Sequence, residues 1–285
     1  MVNGLINFEN LFLMVLGLVW ITGAVLQDMK RREVDNLWNF SLIGFALAYR
    51  LAISVFNWDY WFILNGLIGF VIFFGLGNLF YYSRLFAGGD AKLLMALGVI
   101  LPFSYSWIVN LKIFGYFLLF FLIGGSIYAL IYAVCMVCVN RERFSKEFLK
   151  QWQDYKKMFL ISLIFVLLWM VFVLFVSQVG LVLIGLVVLL FPVLFVFAKA
   201  VEESCMVRLV SSSRVTVGDW LYKDVFVRGR KIKSDWEGVS EKDLKLIKKS
   251  RKKILVKYGI PFTPSFLFGF VALLFLMWRY GGVFF

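Results

Sequence analysis

Apolar residues run along this chain in blocks too long and too continuous for strands or for the one-sided helices of a water-soluble domain. About 20 apolar residues in a row are enough to cross a hydrocarbon core of roughly 30 Å as a helix. Blocks of that kind cover about 10–27, 36–56, 60–82, 112–139, 158–178, 181–198 and 262–278. A further block starts at Ala91 and is broken by Pro102. It reaches full length only if 103–110 also lies in the membrane interface. The pattern predicts an all-α polytopic membrane protein of about eight transmembrane helices. Ser177-Gln178-Val179-Gly180 is expected as a tight turn between the sixth and seventh. No basic residue precedes the first block, and it ends in Gln27-Asp28 rather than small residues. It is therefore expected to be a retained span, not a cleaved signal.

Charge sharpens this picture. Of the 30 Lys and Arg residues, 27 lie in 28–35, 83–92, 140–157 and 199–259, and only Arg50, Lys112 and Arg279 lie elsewhere. With eight spans those four segments share one side. The excess of basic residues in cytoplasmic loops makes that side the cytoplasm. Arg50 is near the far end of its block and is expected to snorkel.

Two of the basic segments carry patterns of their own. In 143–157, Phe144, Phe148, Leu149, Trp152 and Tyr155 recur at helix spacing among charges, as in a helix lying on lipid headgroups. In 199–259, Cys205–Val210 and Val225–Arg230 read as strands with Val217-Gly218-Asp219 between them. Ser240 reads as the cap of a helix reaching about Val256 and stopping by Gly259. The resulting division is a membrane core of five spans over 1–139, an amphipathic segment over 140–157 and a transmembrane hairpin over 158–198. A small cytoplasmic α+β element over 199–259 and a last transmembrane helix over 260–285 complete it.

Composition then narrows the chemistry. The chain is 62% apolar with a net charge of +13 and 33 Phe residues, and it contains no histidine. The lack of histidine removes Ser-His-Asp and Cys-His catalysis and His-ligated metal sites. Cys135 and Cys138 are two positions of a C-x-x-C inside an apolar run. With Cys205 they total three, too few for a four-cysteine zinc site, and they read as small apolar residues. No metal, cofactor or nucleic-acid partner is expected.

Asp28 and Asp90 stand out, each where an apolar block meets a basic loop, in Gln27-Asp28-Met29-Lys30-Arg31-Arg32 and Ala87-Gly88-Gly89-Asp90-Ala91-Lys92. Carboxylates at the edge of lipid are costly and usually functional. Taken singly, Asp90 fits a first-turn carboxylate of a helix and Asp28 an interfacial charge paired with Lys30–Arg32. Glu9, Asp35 and Asp59 read as solvated. Together, on one side of the membrane and with glycines beside one of them, Asp28 and Asp90 point to a membrane-embedded aspartyl protease. Two carboxyls a few Å apart cannot both ionise, so one can take a proton from water while the other supplies one. Gly88 and Gly89 would let a substrate strand approach the backbone. Lys92 lies beside the pair, where it would tune it or bind lipid.

At these two segments the chain resembles the type IV prepilin peptidases, in particular the archaeal prepilin and preflagellin peptidases. That family carries one catalytic Asp after its first span, here Asp28 followed by Met29-Lys30-Arg31-Arg32-Glu33-Val34-Asp35-Asn36. The other lies in a G-x-G-D-like motif, here Gly88-Gly89-Asp90-Ala91-Lys92-Leu93-Leu94-Met95-Ala96-Leu97-Gly98, with Ala87 in place of the first glycine. The resemblance covers about 10–135. Trp236–Asp243 and Gly259-Ile260-Pro261-Phe262-Thr263-Pro264 also resemble the C-terminal extension of some archaeal members. It implies an aspartic endopeptidase with Asp28 and Asp90 as catalytic residues and no N-methylation of the product. The implied substrates are pilin-like or archaellin precursors, cut between a short basic leader and an apolar helix at the cytoplasmic membrane face. Anionic lipids are expected partners of the basic loops. Glu202 or Glu203 could receive the basic leader.

Two other readings fit parts of the pattern. A presenilin-like protease would carry its aspartates in mid-span, whereas both sit at span ends here. A transporter using the two Asp for binding would show broken helices and charges near the midplane. Because Asp28 and Asp90 belong to different spans, one of them short, their carboxyls are expected to be too far apart to share a water until substrate or a helix shift joins them.

Overall fold

A computed structural model describes residues 5–176, 178–227, 229–235, 237–250 and 252–284. Among the expectations above, those at Ser177, Arg228, Trp236 and Arg251 fall outside the described residues. Six described helices are long and apolar enough to cross a membrane, and a small strand-containing element accompanies them. The chain divides into two compact units. One is formed by Met1–Leu130 with Ile260–Phe285, and the other by Ile131–Gly259.

The first unit contains α1 (Phe8–Arg31), α2 (Asn36–Phe56), α3 (Tyr60–Tyr82), α4 (Gly88–Ile100), the greater part of α5 (Trp107–Val139) and α9 (Pro264–Phe284). Polar residues set the helix ends. The Asn7 side chain accepts from the Asn10 N–H at the start of α1, and Asp59 accepts from Trp61 N–H at the start of α3. At the end of α1, Arg32 turns into the left-handed region at φ 59°, and its N–H returns to the Asp28 carbonyl. Helices α1 and α2 are tied together by their tryptophans. Trp38 Nε1 donates to the Trp20 carbonyl at 2.9 Å, Trp20 Nε1 to Ser41 Oγ at 3.1 Å, and the two rings stack at 5.2 Å. Pairing both indole N–H groups matters because lipid offers them no partner. Glu9, Asp35 and Asp59, expected as solvated, carry polar partners. Glu9 accepts from Asn57, Asp35 pairs with Arg31, and Asp59 accepts from the Tyr105 hydroxyl.

Helix α4 has only 13 residues. Pro102 has no N–H to continue the ladder, and the carbonyls just before it lose their helical partners. Those carbonyls are buried, so other groups must satisfy them. Arg50 does so, and this corrects the expectation that it snorkels. It is 0% exposed. Its Nε donates to the Val99 carbonyl at 2.8 Å, and Nη2 to those of Ile100 at 3.3 Å and Pro102 at 2.7 Å. Nη1 donates to the Phe62 carbonyl at 2.9 Å. Asparagines serve the rest of the break. Asn10 donates to the Phe103 carbonyl and Asn110 to that of Ser104, while Asn110 Oδ1 accepts from Ser104 N–H. The short fourth helix is thus one buried helix with a stapled end.

Helices α3 and α4 approach closely because glycines face each other. A Cβ on Gly98 would lie 2.6 Å from the Gly69 carbonyl oxygen, and one on Gly69 would overlap the Gly98 carbonyl and Pro102. Gly69→Ala and Gly98→Ala are each expected to cost about 1–3 kcal/mol of stability. The thermal midpoint of detergent-solubilised protein measures this, with Gly75→Ala, where an added Cβ meets nothing within 4 Å, as the neutral control.

The second unit begins with the end of α5 and continues into α6 (Arg141–Val176), which is one helix of 36 residues. Residues 143–157, expected as a separate helix, are continuous with the apolar run that follows. Phe144, Phe148 and Trp152 form a ladder of rings on one face, with centroids 5.6 and 6.2 Å apart. α7 (Val182–Val201) packs against α6 through Phe144 with Phe197 and Tyr155 with Phe195. A single π-turn over Glu202–Met206 leads into β1 (Val207–Ser211).

β2 (Trp220–Leu221), β3 (Val225–Val227), β4 (Arg230–Ile232), α8 (Glu241–Ser250) and β5 (Lys253–Lys257) complete the element. β5 lies between β1 and β2 and is antiparallel to both, with Leu209 opposite Leu255 and Leu221 opposite Val256. β3 pairs with β4. The helix expected to reach Val256 stops at Ser250, and Lys253–Lys257 is a strand. Alternation explains it: Ile254 and Val256 are buried with Val215, Leu221 and Ile247, while Lys253 and Leu255 face outward. Ser240 does cap α8, its Oγ accepting from Asp243 N–H and donating to Asp243 Oδ2.

Candidate active site

Asp28 lies in the last turn of α1, and Asp90 in the first turn of α4. Local structure fixes both. The Arg32 turn closes α1 just after Asp28. At α4, Asn39 on α2, itself fully buried, donates to the Gly89 carbonyl at 3.0 Å. Ala87, which replaces a glycine of the motif, has φ −69° and ψ 159°. Any L-residue adopts that conformation, so the replacement introduces no backbone strain. The two glycines differ. A Cβ on Gly89 would press on the Val34 N–H and carbonyl at 3.3 and 3.4 Å, so its bare face is already taken by backbone. A Cβ on Gly88 would meet only the Tyr81 ring, at 3.8 Å, which leaves room beside it.

The structure brings Asp28 and Asp90 together at a third residue that the sequence reading had not singled out. Thr263 Oγ1 is 2.6 Å from Asp28 Oδ2 and 3.2 Å from Asp90 Oδ1, and the Thr263 N–H donates to Asp28 Oδ2 at 3.1 Å. Thr263 is 0% exposed and Asp28 6% exposed, while Asp90 is half-buried. The two carboxyls therefore already contact one small group. The expected separation does not occur, because α1 packs against both α4 and the start of α9. A signal for Thr263 was present: it is a lone polar residue between Pro261 and Pro264 at the head of an apolar helix. On sequence alone that reads as an N-cap.

Phenylalanines seat this corner. Phe86, just before α4, packs against Phe262 and Phe266 at the head of α9 and against Phe121 on α5, with centroids 5.7–6.0 Å apart. The loop carrying Asp90 and the segment carrying Thr263 thus share one aromatic support.

Lys92, expected beside the carboxyls, donates instead to Asn36 Oδ1 at 2.7 Å and lies over the Phe40 ring. An open cleft lined by Gln27, Asp35, Asn36, Leu37, Trp38 and Ser41 flanks the α1–α2 turn. Glu202 and Glu203 are already engaged. Glu202 bonds Lys199 and Lys257, and Glu203 accepts from the Tyr222 hydroxyl, which that bond pushes up to about 12.

Two carboxyls, one buried and one half-buried, that meet at one hydroxyl can hold one ionised and one protonated group side by side, the arrangement needed for acid–base work on a single water. Three curated relatives are each named preflagellin peptidase. That of Methanococcus maripaludis is 35% identical over 89 residues, covering 31% of this chain and 38% of the relative. That of Methanococcus voltae is 33% identical over 94 residues, covering 32% and 39%. That of Methanocaldococcus jannaschii is 31% identical over 88 residues, covering 31% and 37%. Each match thus spans well under half of the relative's length. No solved structure matches the chain. Residues 14–134, which include α2, α3, α4 and both aspartates, match the type IV leader peptidase family.

Proposed function

We propose that this chain is a membrane aspartyl endopeptidase that removes the short basic leader of pilin-like or archaellin precursors at the cytoplasmic membrane face. The observation that carries the reading is the convergence of Asp28 and Asp90, 62 positions apart in sequence, on one buried hydroxyl. The family match over 14–134 and the preflagellin peptidase names of its relatives support leader cleavage. The charge pattern supports the orientation: Asp28 and Asp90 both lie in the segments that hold 27 of the 30 basic side chains.

In this mechanism the ionised carboxylate takes a proton from water as its oxygen attacks the scissile carbonyl carbon. The protonated carboxyl polarises the carbonyl and later protonates the leaving amine. Gly88, open on one side, lets the substrate backbone lie beside α4. The apolar part of the precursor stays in lipid while its basic leader reaches the headgroups, so the bond between them falls at the depth of the span ends. The basic loops bind anionic headgroups.

The test is cleavage of a full-length archaellin precursor in membrane vesicles of known sidedness. The expected result is a product shortened at the junction of leader and apolar helix, formed only when the precursor leader and the Asp28 face share a compartment. An uncut precursor, or cleavage from the opposite face, would overturn the reading or its orientation.

A further inference from the structure

We propose that Thr263 is a positioning residue that sets the order of protons in the pair, keeping Asp28 ionised and Asp90 protonated. This rests on the two-aspartate reading above and assigns the roles within it. A hydroxyl has one proton and cannot donate to two carboxylates at once. Were both carboxyls ionised, one of its contacts would set lone pair against lone pair. The bridge is complete only when one carboxyl carries a proton and donates it to Thr263 Oγ1.

The donors decide which one. Asp28 Oδ2 receives the Thr263 N–H at 3.1 Å and the shorter hydroxyl contact at 2.6 Å. Both stabilise a negative charge, as does the N-terminal end of α9 beside it. Asp90 makes only the longer contact with the hydroxyl, 3.2 Å, and no backbone N–H is aimed at it from Thr263; in the proposed order it is the carboxyl that holds the proton. The hydroxyl is held in place by its chain context. Pro264 restricts the Thr263 backbone to extended conformations, and Pro261 stiffens the approach. The carbonyls of Phe262 and Thr263 start α9, accepting from Ser265 and Phe266 N–H, so the backbone builds the helix start while the side chain serves the carboxyls.

The same bridge resets the pair. In one turnover a water O–H bond breaks, its proton goes to Asp28, and its oxygen bonds to the carbonyl carbon. As the C–N bond breaks, the Asp90 proton goes to the amine. Asp28 is left protonated and Asp90 ionised, the reverse of the starting state. Asp28 then gives its proton to Thr263 Oγ1 while the Thr263 hydroxyl proton passes to Asp90. The hydroxyl is unchanged in composition, and the starting order returns.

The experiment compares wild type with Thr263→Val, which keeps the shape without the hydroxyl, Thr263→Ala as a second hydroxyl-free variant, and Thr263→Ser, which keeps it. The readout is the pH profile of precursor cleavage in vesicles. Without the hydroxyl nothing enforces the order of protons, so the pH range over which one carboxyl is ionised and the other protonated narrows from both sides, and kcat at the optimum falls about ten- to a hundredfold. Thr263→Ser keeps the wild-type profile.

The other titratable groups near the pair on the elements around it are Lys30, Arg31, Arg32 and Glu33 on and after α1, Asp35, Tyr81, Tyr82, Arg84 and Lys92, with Glu9, Tyr49, Arg50, Arg279 and Tyr280 towards the opposite ends of α1, α2 and α9. Each of these, as a single charge, would move both limbs in the same direction, so narrowing is specific to the bridge. A Val or Ala variant that inserts normally with an unchanged profile overturns the proposal, as does a lower yield of protein with a wild-type profile. If Asp28→Asn and Asp90→Asn still cleave, the two-aspartate reading fails instead. If those two are inactive and Thr263→Val behaves as wild type, only the role of Thr263 fails.

Discussion

On the proposed function, Asp28→Asn and Asp90→Asn are each expected to lower kcat for leader cleavage by about a thousandfold or more, with little change in the amount of inserted, folded protein. The magnitude follows from losing a general acid or base that acts in the chemical step, together with the partner that depends on it. The two variants differ in how they fail. At position 90 an amide N–H can donate to Thr263 Oγ1 as the protonated carboxyl does, so the geometry persists while the transferable proton is gone. At position 28 the amide oxygen still accepts the Thr263 N–H and hydroxyl but carries no charge to draw a proton from water. Asp90→Asn should therefore bind precursor like the wild type, and co-purification of the uncut precursor would display it. An Asn variant that cleaves at the wild-type rate would show that its carboxyl takes no part.

The second large effect lies away from the carboxyls. Arg50→Leu is expected to destabilise the first unit by about 3–5 kcal/mol, because it leaves several buried carbonyls unsatisfied at about 1–3 kcal/mol each. The leucine fills part of the space but leaves the carbonyls of Phe62, Val99, Ile100 and Pro102 without this donor in a place water does not reach. Arg50→Lys does not rescue it, because one ammonium on a flexible stem cannot reproduce a planar fork directed at four carbonyls. A Cβ on Gly66 would collide with the Arg50 stem at 2.5 Å, so α3 has been hollowed for this side chain. The thermal midpoint in detergent and the fraction of protein surviving extraction measure the loss. A variant as stable as wild type would mean that the break after α4 is held by its asparagines alone.

Much of this architecture was legible in the sequence, for identifiable reasons. The second and third helices run from Asn36 to Phe56 and from Tyr60 to Tyr82 as the apolar blocks do, because polar residues at Asp35 and at 57–59 bound them. Asp28 and Asp90 stand out in the sequence because each lies where an apolar block meets a basic loop, and in the structure both contact Thr263. What could not be read depends on partners distant in sequence. Arg50 resembles a snorkelling residue until the carbonyls of α4 surround it, and Lys253–Lys257 continues a helical charge pattern until β1 pairs with it. Thr263 is 235 residues from Asp28 and 173 from Asp90, and nothing local distinguishes its hydroxyl from an ordinary cap. The engagement of Lys92 by Asn36, and of Glu202 and Glu203 by Lys199, Lys257 and Tyr222, is equally invisible without the fold.

The most direct test measures kcat/KM for precursor cleavage in one vesicle preparation for wild type, Asp28→Asn, Asp90→Asn and the double variant. Two carboxyls that act as one unit predict that both single variants fall to the same floor and that the double variant falls no further. Losses that multiply, or full activity in either single variant, would contradict a shared catalytic pair.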